Sequence, residues 1–384
     1  MPSAPPDRVA RMHAIEGALP DFHAIIPAGG VGSRLWPLSR AEAPKFLHDL
    51  TGSGHTLLRD TWNRILPLAG TAGVMVVTGR AHRAAVQQQL PDLAEVNMVL
   101  ESEPKDSSAA IGLAAAILNR RRPGVIVGSF AADHVISDAE RFRRAVEEAV
   151  AVARAGYITT IGIAPTEPSV GFGYIRCGAP LEVEGASHAH LVESFVEKPD
   201  LETATAYLAS GDYLWNGGMF IARADQLLAQ LAETEPLLHE GLLEIAAAWD
   251  TSKRDIVVDA VWPLLPKIAI DYSVAEPAAA AGRLAVVRGD FPWDDVGDFS
   301  SLAKLLSGGR PGDLAILGEG ARVLADASSG VVVSQSKRLI SLIGVSDIVV
   351  VDTPDALLVT TREHAQRVKS VVDAIKLAGR DDLL

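Results

Sequence analysis

A single cysteine, Cys177, is all that 384 residues contain. No intramolecular disulfide can form, the chain suits a reducing compartment, and nothing gives the thiol a catalytic part. No apolar run reaches the 18 residues that a transmembrane helix needs, so no membrane partner is expected. Met1 to Leu19 mixes Pro, Asp, Arg and Glu without an apolar core. That is not a secretory signal; it reads as a loose tail or short helix, and a cytoplasmic protein is the simplest reading. Basic charge is also short: 35 Lys and Arg against 48 Asp and Glu leave −13. Such a balance argues against a general nucleic-acid binder. It does not exclude a nucleotide substrate, because local Arg, Lys and metal override the mean field. The run Arg120-Arg121-Arg122 reads as the solvated end of a helix. Two common phosphate loops are missing as well. Nothing fits Gly-x-x-x-x-Gly-Lys-Ser/Thr. After Gly30 and Gly32, Leu35 stands where a dinucleotide fingerprint needs its third glycine.

What is present is a hydrophobic fraction of 48%, enough for two or three domains with a substantial core. The apolar run Phe22-His23-Ala24-Ile25-Ile26-Pro27-Ala28 predicts a short buried strand. It opens into Gly29-Gly30-Val31-Gly32-Ser33-Arg34, followed by Pro44-Lys45. That is a phosphate site in outline. Glycines let backbone N–H groups approach oxygens, Arg34 offers a bidentate fork, and Lys45 adds a point charge. Further strands are expected at 74–78, 97–101, 124–129 and 157–163, with helices at 55–68, 81–90, 107–121 and 139–155 between them. Ser107 is a candidate N-cap and Gly156 a candidate C′ residue. The alternation predicts an α/β fold with a doubly wound, mostly parallel, Rossmann-like sheet.

The middle third is less regular. A strand is expected at 192–196, a helix at 200–210, one or two helices at 224–248, and a strand at 284–287 leading to Trp293. Beyond about residue 312, short Val/Ile runs at 331–333, 339–343, 348–351 and 357–360 predict a small β-rich module without a precise repeat. A helix from Arg362 to about Leu377 closes it. The expected organisation is a tail at 1–20, a catalytic domain at 21–310 and a module at 311–384, with the boundary drawn on Ser307 to Gly312.

Asp133 lies just past the strand at 124–129, at the carboxyl end of the sheet where ligands bind. An Asp there is placed to hold Mg²⁺, which prefers hard oxygens and bridges phosphates, although an N-cap or loop Asp fits the residue alone equally well. His134 is a poorer Mg²⁺ partner and reads as packing. Lys198, at the end of a strand, is a candidate for a sugar phosphate and Glu197 for sugar hydroxyls. Taken alone, Glu197-Lys198-Pro199 is a solvated turn.

Together these segments resemble the sugar-1-phosphate nucleotidylyltransferases. Their signature is Gly-Gly-x-Gly-x-Arg-Leu-x-Pro-Leu followed by Pro-Lys. Trp36 and Ser39-Arg40 make the variant similar to that of the mannose-1-phosphate guanylyltransferases. Ala132-Asp133-His134 matches the family without its preceding Pro. Trp293-Asp294-Asp295-Val296-Gly297 matches Trp-x-Asp-Val-Gly, and Gly217 replaces a Ser in Trp215-Asn216-Gly217-Gly218-Met219-Phe220. The resemblance runs from about residue 22 to the C-terminus. It implies a nucleotide on Ala28, Gly29, Gly30, Gly32, Ser33, Arg34, Lys45, Glu103, Ser108 and Asp133. It implies a sugar on Gly173, Glu197, Lys198, Asn216 and Asp271, and Mg²⁺ on Asp133 and Asp295. Arg34, Lys45 and Lys198 are the implied catalytic cations.

The implied reaction joins GTP and mannose 1-phosphate into GDP-mannose and diphosphate, with a short left-handed β-helix as the C-terminal module. Longer relatives add a phosphomannose-isomerase domain, for which this chain has no room, so one activity is expected. The apolar module either closes an oligomer, a homodimer being one form, or packs on the catalytic domain. Two alternatives stay open: another base or sugar 1-phosphate, and a non-catalytic nucleotide-sugar sensor on the same fold.

Overall fold

The computed structural model describes residues 18–308, 310 and 312–384. The tail expected before residue 18, and Gly309 and Pro311 of the expected boundary, lie outside the described residues. Strands β1 (Phe22–Ala28), β2 (Val74–Gly79), β3 (Met98–Glu101), β4 (Ile126–Ser129), β5 (Val135–Ile136), β6 (Ile158–Ile163), β7 (Tyr174–Pro180), β8 (Ala189–Val196), β9 (Tyr213–Arg223), β10 (Leu284–Gly289) and β11 (Trp293–Asp294) follow in chain order. Nine of them form one sheet in the order β3-β2-β1-β4-β9-β6-β10-β8-β7, and β5 pairs with β11 apart from it. β1 runs parallel to β2 and β4, β2 to β3, and β6 to β10. β9 runs antiparallel between β4 and β6.

Both faces of the sheet are covered, which is why its strands are near-continuous apolar runs. On one face lies the Ala139–Arg154 helix. Its buried Phe142, Ala145, Val146, Ala149 and Val150 recur at helical spacing, Asp138 accepts from Arg141 N at 3.0 Å as N-cap, and Gly156 follows the end with φ 103°. On the other face the Asp106–Arg121 helix is buried from Ser108 to Leu118, because the helices Ala224–Thr234 and Pro236–Ala248 cover the side away from the sheet. The expected N-cap does not form. Lys105 is the cap residue, Asp106 opens the helix with φ 68°, and Ser107 Oγ instead accepts from Ile270 N at 2.9 Å.

The sequence reading omitted β7, β9 and the helices Arg254–Val261 and Phe299–Leu306. β9 carries Gly217 and Gly218, which weaken a strand pattern. Here Gly217 is needed: a Cβ on it would stand 2.8 Å from the Ile161 carbonyl oxygen.

The C-terminal region holds β12 (Leu314–Leu317), β13 (Arg322–Asp326), β14 (Gly330–Ser334), β15 (Leu339–Ile343), β16 (Ile348–Asp352) and β17 (Leu357–Thr361). The chain alternates between two ladders: β12, β14 and β16 pair in parallel, and so do β13 and β15. Leu314, Gly330 and Ile348 share one register. Their unequal spacing hides the repeat from a fixed-period search. Side chains alternate along these strands. Val332 and Val350 pack inside the coil with Leu342, while Val331, Val333, Val349 and Val351 pack outward with Leu35, Trp36, Leu38, Phe299 and Leu302. The module thus packs on the catalytic domain. A helical turn at Arg362–Arg367 and the Val368–Leu377 helix complete the cover.

Phe299 has no exposed surface at the centre of that shared cluster. Phe299→Ala is expected to cost about 3–5 kcal/mol in urea unfolding. An unchanged midpoint would show that the cluster does not hold the two parts together.

Candidate active site

The glycine loop begins where β1 ends at Ala28. Gly29 and Gly30 are exposed. Gly32 is required for two reasons. Its φ is +73°, and a Cβ there would stand 2.8 Å from Lys45 Cβ. The loop is tied down by Lys45 N, which donates to the Val31 carbonyl at 3.3 Å, and by the Ser39 hydroxyl, which donates to the same oxygen. Ser33 and Arg34 then open a short helical turn.

Lys45 is only 5% exposed, and its ammonium joins three segments. Nζ lies 2.8 Å from Asp133 Oδ2 and donates to the Asp295 backbone carbonyl. A two-stranded ribbon brings these distant positions together: β5 and β11 pair with Asp294 opposite Val135. The ribbon is braced by the edge-on packing of His134 and Trp293 at 5.3 Å and by Trp293 Nε1 donating to His134 Nδ1 at 3.3 Å. From beneath, Arg64 donates to the His134 carbonyl at 3.2 Å. Burial, the largest influence, would raise the Asp133 carboxyl, but the charges of Lys45 and His134 together with the Lys45 hydrogen bond hold the group below the usual carboxylate range. Burial lowers His134. Burial, reinforced by neighbouring Asp295, pushes Asp294 up to about 6 although its carboxylate accepts from Val296 N at 2.6 Å.

Among the described residues no cluster of three or more His, Cys, Asp or Glu side chains stands ready for a metal. Two carboxylates with no soft donor are what Mg²⁺ commonly takes from a protein, the rest of its shell being substrate phosphate and water. By donor type Asp133 and Asp295 fit such a cation; in the structure the Asp295 carboxylate accepts from Gly297 N at 3.1 Å.

A second group forms around Gly173. A Cβ there would stand 2.6 Å from Glu197 Oε2 and 3.3 Å from Asn216 Cβ, so glycine lets these two side chains pack close against the backbone. Asn216 is fixed at both ends: its Nδ2 donates to Asp271 Oδ1 at 2.9 Å, and its Oδ1 accepts from Thr160 Oγ1 at 2.8 Å. Lys198, with φ +49°, turns its ammonium onto Glu197 Oε1. Burial opposes the Lys198 charge, but Glu197 outweighs it and raises that group. Burial, then the charge of Glu197, raises Asp271 to about 6.

Two of the implied nucleotide contacts have other partners in the structure. Glu103 is exposed and pairs with Lys105 at 2.8 Å. Ser108, in the first turn of the Asp106–Arg121 helix, is buried, and its hydroxyl is 2.7 Å from Ser273 Oγ. The group that does border the loop is Glu101, at the end of β3: its Oε2 lies 3.5 Å from where a Gly29 Cβ would be. Burial, aided by Asp106, raises its carboxyl to about 7. Its signal in the sequence was a lone acid closing an apolar strand.

Trp36 and Arg40 turn away from the loop. Trp36 Nε1 donates to the Leu383 carbonyl at 2.7 Å, and Arg40 forks onto Asp355 at 2.7 and 2.8 Å. Arg34 Nη1 donates to Gln366 Oε1 at 3.2 Å. No sequence signal paired the signature with residues 353–383.

A glycine loop at the carboxyl end of a doubly wound sheet, with the buried Lys45 held on the Asp133 carboxylate and on the backbone of the Asp295 turn, is the frame of a nucleotidyltransferase. The family model of nucleotidyl transferases matches residues 23–308, and that of the MannoseP isomerase/GMP-like beta-helix domain matches 320–375. The chain belongs to the nucleotidyl transferase family, within its mannose-1-phosphate guanylyltransferase group, and is an enzyme of the transferase class. It is 38% identical over 366 residues to the mannose-1-phosphate guanylyltransferase of Escherichia coli K12, covering 94% of this chain and 75% of that protein. It is 39% identical over 369 residues to the xanthan biosynthesis protein XanB of Xanthomonas campestris pv. campestris B100, with the same coverage. A crystal structure from Thermus thermophilus, described as a mannose-1-phosphate geranyltransferase, superposes with a TM-score of 0.81 at 32% identity, over 93% of this chain and 99% of that one.

Because the folded pKa of Glu101 is above the ordinary glutamate value of 4.5, its contribution to stability is present below about 4.5 and lost as pH rises through about 7. A ¹³C NMR titration of Glu101 is expected to turn near 7. In Asp106→Asn the midpoint should fall without reaching the ordinary glutamate value, since burial remains. An ordinary midpoint in the parent would mean that water reaches the carboxyl.

Proposed function

We propose that this enzyme joins GTP and α-D-mannose 1-phosphate to give GDP-mannose and diphosphate. The observation that carries the reading is the meeting of Lys45, Asp133 and the Asp295 turn beside the glycine loop. A sugar-phosphate oxygen attacks the α-phosphorus, one P–O bond forms, the bond to the β-phosphate oxygen breaks, and diphosphate leaves. The nucleophile is already an anion, so neither a protein nucleophile nor a general base is needed. Two polyanions must instead be brought in line, so positioning and charge supply the rate.

Arg34, Lys45 and the N–H groups from Gly29 to Ser33 hold the triphosphate in this reading. Lys198 holds the sugar phosphate, and Glu197, Asn216 and Asp271, grouped around Gly173, bind hydroxyls. Asp133 and Asp295 would hold a divalent cation, Mg²⁺ by donor chemistry. When bound, it supplies positive charge to the reacting phosphates. Glu101, as a carboxylate, accepts two N–H donors side by side, which the edge of guanine offers and that of uracil or thymine does not. The base therefore binds best when Glu101 is ionised.

The test is diphosphate release over a grid of four nucleoside triphosphates and several sugar 1-phosphates with Mg²⁺. Strong release with GTP and mannose 1-phosphate is expected. Release at another pair would correct the substrate, and silence with nucleotide still bound would mean a sensor. Asp295→Asn should fold normally and turn over at least ~10²-fold more slowly, by analogy with lost transition-state donors. Parental turnover would remove the two-carboxylate site. The KM for GTP should rise as pH falls below about 7, and Glu101→Gln should flatten that rise. A pH-independent KM would take Glu101 away from the base.

A further inference from the structure

We propose that Gln366, in the C-terminal module, is a positioning residue for Arg34. Gln366 lies in the helical turn Arg362–Arg367, far along the chain from the glycine loop. Its Oε1 accepts from Arg34 Nη1 at 3.2 Å, and its Nε2 donates to Asp298 Oδ2. The two partners fix the amide. Reversed, it would turn its NH₂ on a guanidinium and its oxygen on a carboxylate, both repulsive.

Asp298 is a firm anchor. It is 4% exposed, and its other oxygen accepts from Ser300 N at 2.7 Å and Ser301 N at 3.0 Å as N-cap of the Phe299–Leu306 helix. That helix packs in the apolar cluster shared with β14 and β16. The chain of contacts therefore runs from a buried helix start, through one amide, to the guanidinium beside the phosphate loop.

The choice of a neutral partner matters. Arg40, six residues on, is held by the Asp355 carboxylate, which neutralises it. An amide acceptor orients a guanidinium and leaves its charge for a ligand. It also engages one of five N–H groups, so a bidentate face remains. Arg34 Nη2 lies 3.5 Å from where a Gly297 Cβ would be, so the guanidinium is aimed along the turn that carries Asp295. On this reading the C-terminal module supplies part of the catalytic geometry as well as cover for apolar surface.

The inference rests on the assignment of Arg34 to the triphosphate, and a double-mutant cycle separates the two. Arg34→Ala, Gln366→Ala and the double variant are compared with the parent by steady-state kinetics, varying GTP and mannose 1-phosphate separately. Gln366 is exposed, so its variant should keep the parental thermal midpoint. Gln366→Ala is expected to raise the KM for GTP about 10-fold, leave that for mannose 1-phosphate unchanged, and add nothing once Arg34 is gone. Gln366→Glu, which sets a carboxylate on Arg34 and against Asp298, should raise the KM for GTP at least as much. Additive losses, or equal rises in both KM values, would overturn the inference alone. An unchanged KM for GTP in Arg34→Ala would overturn the triphosphate assignment and this inference with it.

Discussion

A buried ammonium must have acceptors, and the rest of the site follows from those of Lys45. Its Nζ meets a carboxylate that follows β4 and a backbone oxygen that follows β11. Losing one partner would leave a charge stranded in a region that cannot solvate it. The glycine loop, the Asp133 turn and the Trp293–Gly297 turn are therefore held to one another by a single group. Gly32 completes the arrangement from below, since any side chain there would strike the lysine stem. The fold provides the carboxyl ends of parallel strands; this cation makes them one place.

Much of this was legible in the chain. Apolar runs bounded by glycine and proline mark the parallel strands, and the helices at 57–69 and 139–154 follow from periodicity and caps. The less legible parts share a cause. β9 looks too rich in glycine for a central strand until the Ile161 carbonyl is seen pressing on it. Ser107 resembles a cap until Asp106 takes a left-handed conformation and the hydroxyl goes to Ile270. Glu101 and Ser108 lie seven positions apart, and what separates a carboxylate facing the loop from a hydroxyl spent on Ser273 is the packing of a helix, which local sequence does not encode. Motifs named the residues around the loop; which of them face it was decided by contacts between segments distant in the chain.

The second half of the glycine signature has a role that its wording conceals. Leu35, Trp36 and Leu38 enter the cluster with Val331, Val333, Val349 and Val351, and Arg40 reaches Asp355. One short stretch thus serves two masters. Its first residues form the glycine loop over Lys45 and its later ones clamp a β-coil, so the pattern is under two unrelated constraints at once.

The β5–β11 ribbon carries a last consequence. Neighbouring positions on a strand face opposite ways, and the chain offers two adjacent aspartates, Asp294 and Asp295, just where the ribbon ends. Asp294 accepts from Val296 N at 2.6 Å, and Asp295 from Gly297 N at 3.1 Å, while the Asp295 backbone oxygen meets Lys45. One residue gained or lost in the turn after Phe291 would exchange the two while leaving composition almost untouched. Which aspartate gives Lys45 its second acceptor is thus a matter of counting along a strand, and residue type alone does not fix it.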